Sequence, residues 1–450
     1  MKIALIHFRV GETDGVSLEM EKWEHVLKSL GHEIVYISGN NASKNVFVVE
    51  EMAYNNEFDL KITEECYSRL NKYDCDGLRS IIFKQADIIK EKLIKIICSE
   101  KIECVVPNNI FALGKSLPVA FGLFSAIEQT GVYVINHHHD FYWEREKYSK
   151  PTCSFVASML KEYFPPSGER IKHAVINSQA RQDLLKRKNI NSTIVPNVFD
   201  FKAPLWKRDA YNQDLKSTFG LTENDVVFLQ ATRVTNRKSI ELAIQLLAYL
   251  NTVLPASYGQ SMYDGRIVTK NTNLVLLVVG LHEGLDQYEN KLLDYAKKMK
   301  VKMILDPTKI SHSRTLTHGQ KTYSLWDAYV YADIITYPST YEGWGNQFLE
   351  GLFAKKPMAV FEYSVFKDDI AQHKFQYISL GDQYRTSENG LHYIEDSVIK
   401  SAASETFRFL FDKRYREMAV NRNFLLGEEN FSYETLRTIL SELFSFEEKE

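Results

Sequence analysis

The sequence predicts an α/β protein made of two doubly wound, Rossmann-like domains, and three observations predict it. A chain of 450 residues is longer than a single core usually supports. Short apolar runs alternate with stretches of helical periodicity along both halves, and a polar break near residues 199–205 separates the two series. The 44% hydrophobic and 25% charged content is that of an ordinary globular protein.

The first half opens with the apolar run KIALIHF. From Ser17 onward Met20, Trp23, Val26 or Leu27, and Leu30 recur at helical spacing, Gly31 ends that helix, and EIVYIS resumes as a strand. This is a βαβ unit. A helix through IIFKQADIIKEKLIKIIC, a strand at ECVVPNN, a helical stretch interrupted by Pro118, and strands at VYVINHHH and AVINSQ continue the pattern. Such alternation implies a parallel sheet covered on both faces. After IVPNVFDF the chain turns polar, then restarts with strands at VVFLQAT, NLVLLVVG, VKMIL, DIITYPS and PMAVFEY. The expected domains are residues 1–200 and 201–397, with helices over 398–450 packing back on the first. Two inserts, PASYGQSMYDGRIVTKN and DPTKISHSRTLTHGQKTYS, break the rhythm, and loops of that length are usually functional or mobile.

Composition excludes some classes of function. With 55 Lys and Arg against 58 Asp and Glu, a net charge of -3 gives no reason to expect nucleic acid as a partner. Cys66, Cys75, Cys98, Cys104 and Cys153 are odd in number and irregularly spaced, as reduced thiols of a cytoplasmic protein would be, and they contain no CxxC pair for zinc. MKIALIHF lacks the long apolar region of a signal peptide, and no run approaches the ~18 apolar residues of a membrane span. The expectation is a cytoplasmic protein with no integral membrane segment.

Open parallel sheets bind ligands outside the carboxyl ends of their strands, so residues just after strands are the candidates. The stretch TYEGWGNQFLEG places Gly343 and Gly345 before a helix near Asn346, with Glu350 one turn later on the same face and Glu342 in the turn itself. Two carboxylates at one mouth accept hydroxyls of a sugar or ribose better than they bind phosphate; a surface turn with a capping acid is the plainer alternative. In ATRVTNRKSIELA, Arg233 and Lys238, with Arg237 as a third, lie between a strand and a helix, where a diphosphate would meet both cations and the helix dipole; solvated surface charges are the alternative. HFRVGETDGVSLEM lacks GxGxxG, and Gly15 at its helix start either admits a ligand close to the backbone or is a turn glycine. INHHHDFYWERE ends a strand in three histidines whose directions alternate, which disfavours a metal and favours one histidine, with Asp140, binding substrate or handling a proton. Asp74-Cys75-Asp76 has the DxD form of metal-dependent sugar transferases, but it precedes a long helix, where acids act as caps.

Together these stretches resemble the retaining glycosyltransferases of family 4, over nearly the whole chain from DGVSLEMEKWEHVLKSLGHEIVYIS to YPSTYEGWGNQFLEGLFAKKPMAV. The resemblance implies the two-domain GT-B fold. It implies that Glu342 lies near the donor sugar, that Glu350 holds the nucleotide ribose, and that Arg233 and Lys238 meet the diphosphate beside Gly343, Gly345 and Asn346. His139 and Asp140 match the family His-Asp at the sugar. Gly15 matches the first-domain glycine loop, with Asp14 where a second glycine is usual, and Trp344 stands as a packing residue where many relatives carry phenylalanine. HHHDFYWER and EGWGNQFLE look closest to members that glycosylate small soluble acceptors, such as mannosylglucosylglycerate synthases. The implied reaction moves a hexose from a nucleotide-diphosphate sugar to an acceptor hydroxyl, with no cofactor and no metal. A non-catalytic nucleotide-sugar-binding subunit of the same fold is the alternative.

Overall fold

The computed structural model describes residues 1–11, 14–40, 45–53, 55–280, 286–311, 313–317 and 319–446. The chain forms two compact units, Met1–Asn197 with Tyr433–Glu450, and Val198–Ser432.

The first unit carries a seven-stranded, wholly parallel sheet of β1 (Lys2–His7), β2 (Glu33–Ser38), β3 (Val46–Val48), β4 (Cys104–Pro107), β5 (Tyr133–His138), β6 (Ile171–Val175) and β7 (Thr193–Ile194), in the spatial order β3-β2-β1-β4-β5-β6-β7. Ile3 to Ile6 are fully buried because helices cover both faces, which is why the strand reads as a continuous apolar run. Helix α1 (Gly15–Ser29) buries Met20, Trp23, Val26 and Leu27, and α2 is Glu57–Tyr67. Helix α3 (Cys75–Ser99) presents Leu78, Ile82, Ala86, Ile89, Leu93 and Ile97 to the core. Asp74 caps α3, its carboxylate accepting from the Gly77 amide at 2.8 Å, so the DxD-like acids serve the helix as the capping alternative held.

Helix α4 is Leu117–Thr130, and Pro118 does not interrupt it. Proline sits in the first turn, where its missing N–H would have had no partner anyway. Gly122 then lets α4 lie against α3: a Cβ there would stand 2.7 Å from the Ala86 carbonyl oxygen. The unit is completed by α5 (Glu146–Ser149), α6 (Ser154–Tyr163) and α7 (Ser178–Lys188).

The second unit repeats the plan. A six-stranded parallel sheet takes β8 (Val226–Gln230), β9 (Leu274–Val278), β10 (Lys302–Leu305), β14 (Ile334–Tyr337), β15 (Met358–Val360) and β16 (Ile378–Ser379) in the order β10-β9-β8-β14-β15-β16. Around it lie α8 (Leu215–Thr218), α9 (Ile240–Val253), α10 (Asp286–Lys298), α11 (Leu325–Tyr331), α12 (Asn346–Phe353), α13 (Asp396–Phe411) and α14 (Lys413–Phe431). Residues Ile240–Ser257 are long and apolar enough to cross a membrane by length and composition alone, a stretch the sequence reading passed over, but most of that window is buried within the unit as α9 and its continuation. It is a core helix. The C-terminal helices do not form one region: α13 and α14 belong to the second unit, whereas α15 (Tyr433–Leu443) belongs to the first and buries Leu436 and Leu440.

Both inserts are tied down rather than loose in their described residues. In the first, Tyr263 donates to Asp333 at 2.7 Å, Arg266 pairs with Asp264 and Asp333, and the Arg416 guanidinium lies 3.7 Å from the Tyr263 ring centroid. The second folds into a small sheet of β11 (Ile310–Ser311), β12 (Thr315–Thr317) and β13 (Gln320–Ser324), where Arg314 bridges Asp209 at 2.7 Å and the buried Asp327. A short hairpin of β17 (Arg385–Thr386) and β18 (His392–Tyr393) follows β16.

Candidate functional site

In each unit the strand order reverses once, between β1 and β4 and between β8 and β14. A doubly wound sheet leaves its ligand crevice at that reversal, because the connections diverge to opposite faces there. The sequence candidates lie at both reversals.

In the second unit two loops meet. The loop after β8 carries Thr232 to Lys238 and ends in a 3-10 turn at Asn236–Lys238. Its backbone is pressed on the end of β9, where Gly280 is obligatory: an added Cβ would stand 1.6 Å from the Thr232 carbonyl oxygen. The loop after β14 runs to Gly345, whose φ of +154° precedes α12; a Cβ there would meet the Tyr363 hydroxyl at 2.5 Å. The Thr340 amide donates to the Arg237 carbonyl at 2.9 Å, and the Ser239 and Thr340 hydroxyls are 3.1 Å apart, so the loops are stitched together.

Between them lies the Glu342 carboxylate, 9% exposed, with Arg237 Nη1 at 2.7 Å from Oε2 and Lys238 Nζ hydrogen-bonded to Oε1. Burial alone would raise the Glu342 pKa, but the charges of Lys238 and Arg237 outweigh it and hold the carboxyl below the usual carboxylate range. Burial lowers the Lys238 pKa; Glu342 opposes the fall, and the like charges of Arg237 and Arg233 add to it. Arg233 itself is exposed on the same loop. The structure therefore joins Glu342 with Lys238 and with Arg237, which the sequence reading held as a third choice. Glu350 has a separate anchor: from α12 it accepts the buried Tyr329 hydroxyl of α11 at 2.5 Å. Asn346 is the first residue of α12 and Gly343 is half-buried in the turn. Trp344 packs edge-on against Phe431 at 5.4 Å, 4% exposed, as a packing residue should.

In the first unit a polar cluster caps β1, β4 and β5. Asn108 is its hub: its carbonyl contacts His7 Nδ1 at 2.8 Å, and its side-chain oxygen contacts His137 Nδ1 at 3.0 Å and His139 Nε2 at 3.5 Å. Asn109 accepts from the His139 amide at 2.7 Å and donates to Asp140 Oδ1 at 2.9 Å, while Arg145 Nε holds Asp140 Oδ2 at 2.9 Å. The histidines alternate as their strand requires. His137 and His139 lie 4.2 Å apart ring to ring, whereas His138 turns away to His173, 3.0 Å from its Nδ1. Burial depresses His139 and His7 to about 4, so both rings are neutral near pH 7. Among the described residues no group of three His, Cys, Asp or Glu side chains is placed to hold a metal.

Asp14 explains the missing second glycine. Its carboxylate caps α1, taking the Val16 and Ser17 amides at 3.1 and 3.3 Å and the Ser17 hydroxyl at 2.6 Å. Helix-start N–H groups that a glycine loop would offer a ligand are thereby used by the chain itself. Gly15 begins α1, and a Cβ there would meet nothing within 4 Å, so its backbone is approachable but glycine is not required by space.

Sequence reasoning missed Asn108, Asn109, His7, Gly280 and Tyr329. Three of these left a signal: Asn108 and Asn109 directly follow an apolar strand, and Gly280 ends LVLLVVG at a carboxyl edge.

Residues 212–396 match the family model described as glycosyl transferases group 1. The chain is similar to the mannosylglucosylglycerate synthase of Petrotoga mobilis, 37% identical over 96% of this chain and 98% of that protein. It is similar also to the mannosylglucosylglycerate synthase of Thermotoga maritima, 36% identical over 98% of this chain and 99% of that protein. Among solved structures it resembles a glycosyltransferase from Rickettsia africae with a TM-score of 0.59 and 14% identity, over 98% of this chain and 97% of that one, which is a likeness of fold.

Proposed function

The chain belongs to the group 1 glycosyltransferases of GT-B fold, enzymes that use a nucleotide-sugar donor, and on that premise we propose that it moves a hexose to a hydroxyl of a small soluble acceptor with retention of configuration. The relatives' names point to mannosyl transfer onto glucosylglycerate, and we take that pair as the reaction to test first.

The observation that carries this reading is the Arg237–Glu342–Lys238 cluster at the reversal of the second sheet. A departing nucleoside diphosphate gains negative charge, and Lys238, Arg237 and Arg233 are the cations to meet it, which leaves no step that needs a metal. Glu342 keeps Lys238 and Arg237 fixed before the donor arrives, so little reorganisation remains at the moment of bond cleavage. Held between two cations, Glu342 is a poor nucleophile. Attack falls instead to the acceptor hydroxyl on the face the phosphate leaves, with that phosphate taking the proton. Glu350, oriented by Tyr329, accepts from the ribose hydroxyls. In the first unit neutral His139 offers a hydroxyl a ring nitrogen without adding charge, beside the Asp140 carboxylate that Asn109 and Arg145 hold. The non-catalytic alternative is not favoured, because the relatives are synthases over nearly their full length.

The test incubates the protein with a panel of nucleotide-diphosphate sugars and glucosylglycerate, with and without EDTA. One donor should yield a glycosylated product, and EDTA should leave the rate unchanged. Loss of turnover in EDTA that Mn²⁺ or Mg²⁺ restores would overturn the metal-free mechanism, and the absence of transfer from every donor would overturn the acceptor.

A further inference from the structure

The hairpin of β17 and β18 lies beside the start of α9. Its His392 Nδ1 is 3.0 Å from the Ser239 hydroxyl, and the Tyr384 ring covers the imidazole at 4.1 Å between centroids. Ser239 directly follows Lys238 and turns the chain into α9. Its φ of +46° and ψ of +47° are left-handed, a conformation that a residue other than glycine keeps only where its surroundings over-determine it. The fully buried hydroxyl shows what does so: the Asn236 carbonyl stands at 3.3 Å, the Thr340 hydroxyl at 3.1 Å and His392 Nδ1 at 3.0 Å. One hydroxyl thus joins the loop after β8, the loop after β14 and the hairpin.

The hairpin has a second hold that does not involve the ring. The His392 amide donates to Glu241 Oε1 at 2.8 Å, while Glu241 Oε2 accepts the Tyr288 hydroxyl at 2.5 Å, which itself accepts the Ile240 amide at 3.0 Å. One turn further along α9, the Gln245 side chain exchanges two hydrogen bonds with the Ile394 backbone at 2.9 and 3.0 Å. Backbone contacts therefore pin the hairpin to α9, and the imidazole holds Ser239. Glu241 Oε1 is 3.9 Å from Nδ1, too far for a hydrogen bond to compete.

We propose that His392 is a positioning residue for transfer, fixing Lys238 at the leaving diphosphate through Ser239. The inference rests on the proposed function for that diphosphate. Ser239 sets the direction in which the chain leaves Lys238, and its contact with Thr340 ties the Lys238 loop to the loop of Glu342, the partner of the Lys238 ammonium. Burial lowers the His392 pKa, so near pH 7.5 the ring is neutral and its effect is geometric. A misplaced Lys238 slows bond cleavage more than it weakens binding of the intact donor, because negative charge on the diphosphate grows as it departs.

Steady-state kinetics and calorimetric titration with UDP and GDP, on the full-length protein, test this with His392→Ala, His392→Asn and His392→Gln. Asn places its amide where Nδ1 stands, and Gln places its own near Nε2. His392→Ala should lower kcat about tenfold, with a smaller rise in donor KM, and weaken whichever nucleotide the wild type binds by about threefold. Asn should restore most of both losses and Gln little of either. Both carry an amide at one position, so their difference decides the matter even where the Ala variant does not fold. Ser239→Gly keeps the left-handed turn and removes the hydroxyl, so adding His392→Ala to it should cost nothing further. The positioning role would be overturned by kcat and nucleotide affinity within about twofold of wild type in His392→Ala, by equal rescue from Asn and Gln, by additive losses in the double variant, or by a wild type that binds neither nucleotide. Nucleotide affinities that fall and recover in this pattern, without transfer to any acceptor, would remove the proposed reaction and leave His392 its role at the diphosphate. Transfer indifferent to all three substitutions would do the reverse.

Discussion

Replacing Glu342 with Gln should strand a cation. The carboxylate is 9% exposed and Lys238 8%, so the pair is essentially out of water. Removing one partner of a buried ion pair costs about 3–5 kcal/mol, because the remaining charge is left uncompensated. Gln keeps one acceptor for Lys238, and the Arg237 side chain, 36% exposed, can turn to solvent, which places the cost near about 3 kcal/mol. For a domain of this size that is a fall of about 6–12 °C in the midpoint of thermal unfolding. The Glu342 pKa is lowered in the fold, so its contribution is fully present above the unfolded carboxylate value and is lost as pH falls through the folded one. The wild type and Glu342→Gln should therefore converge in acid. A nucleoside diphosphate offers the stranded Lys238 a new anion, so GDP or UDP should raise the midpoint more in the variant than in the wild type. Transfer should suffer mainly in kcat, with the cations no longer fixed at the bond being broken. Scanning calorimetry at pH 7.5 and at a series of pH values descending from about 4, with and without nucleotide, reads these effects beside steady-state kinetics. A midpoint within 2 °C of wild type, with no larger nucleotide shift and kcat within twofold, would refute the role given to Glu342.

Glu350→Gln should act on donor binding, raising KM for the nucleotide sugar by about tenfold with a smaller change in kcat, and Tyr329→Phe should reproduce part of it by freeing the carboxylate; an effect confined to kcat would count against the ribose assignment. Gly280→Ala must displace the loop that carries Arg233 to Lys238 and should cost about 1–3 kcal/mol or more, whereas Gly15→Ala has open space and should stay within about 0.5 kcal/mol; equal midpoints for the two variants would contradict this. His7 and His139, depressed to about 4, stay neutral in the fold while their unfolded forms protonate below about 6.5, so stability should decline as pH falls from 6.5 to 4. His139→Gln should flatten that decline, and urea titrations across the range would show it.

What the sequence made legible was local. IALI, VVFL and LVLLV are buried on both faces and announce themselves as strands, and the turn before Asn346 announces a helix start. Pro118 misled because a proline in a first helical turn looks like one that breaks a helix. The three residues of β3 and the two of β16 carry too little pattern to be seen. The insert at 306–324 reads as a polar loop, since its small sheet depends on Arg314 reaching Asp209 and Asp327 rather than on an apolar face. In the site, Lys238 and Glu342 were found separately. Their pairing spans 104 residues and exists only because β8 and β14 are neighbours at the sheet reversal. His137 and His139 followed from strand alternation, but the Asn108 and Asn109 side chains that organise them come from the adjacent strand.

The central claim is retaining hexosyl transfer from a nucleotide sugar, with neither Glu342 nor Glu350 as nucleophile. The most direct measurement is the NMR coupling across the anomeric carbon of the product, taken from wild type and from Glu342→Gln with one α-linked donor. An α-linkage in both products, at a lower rate for the variant, is the result expected. A β-linkage from the wild type would contradict retention.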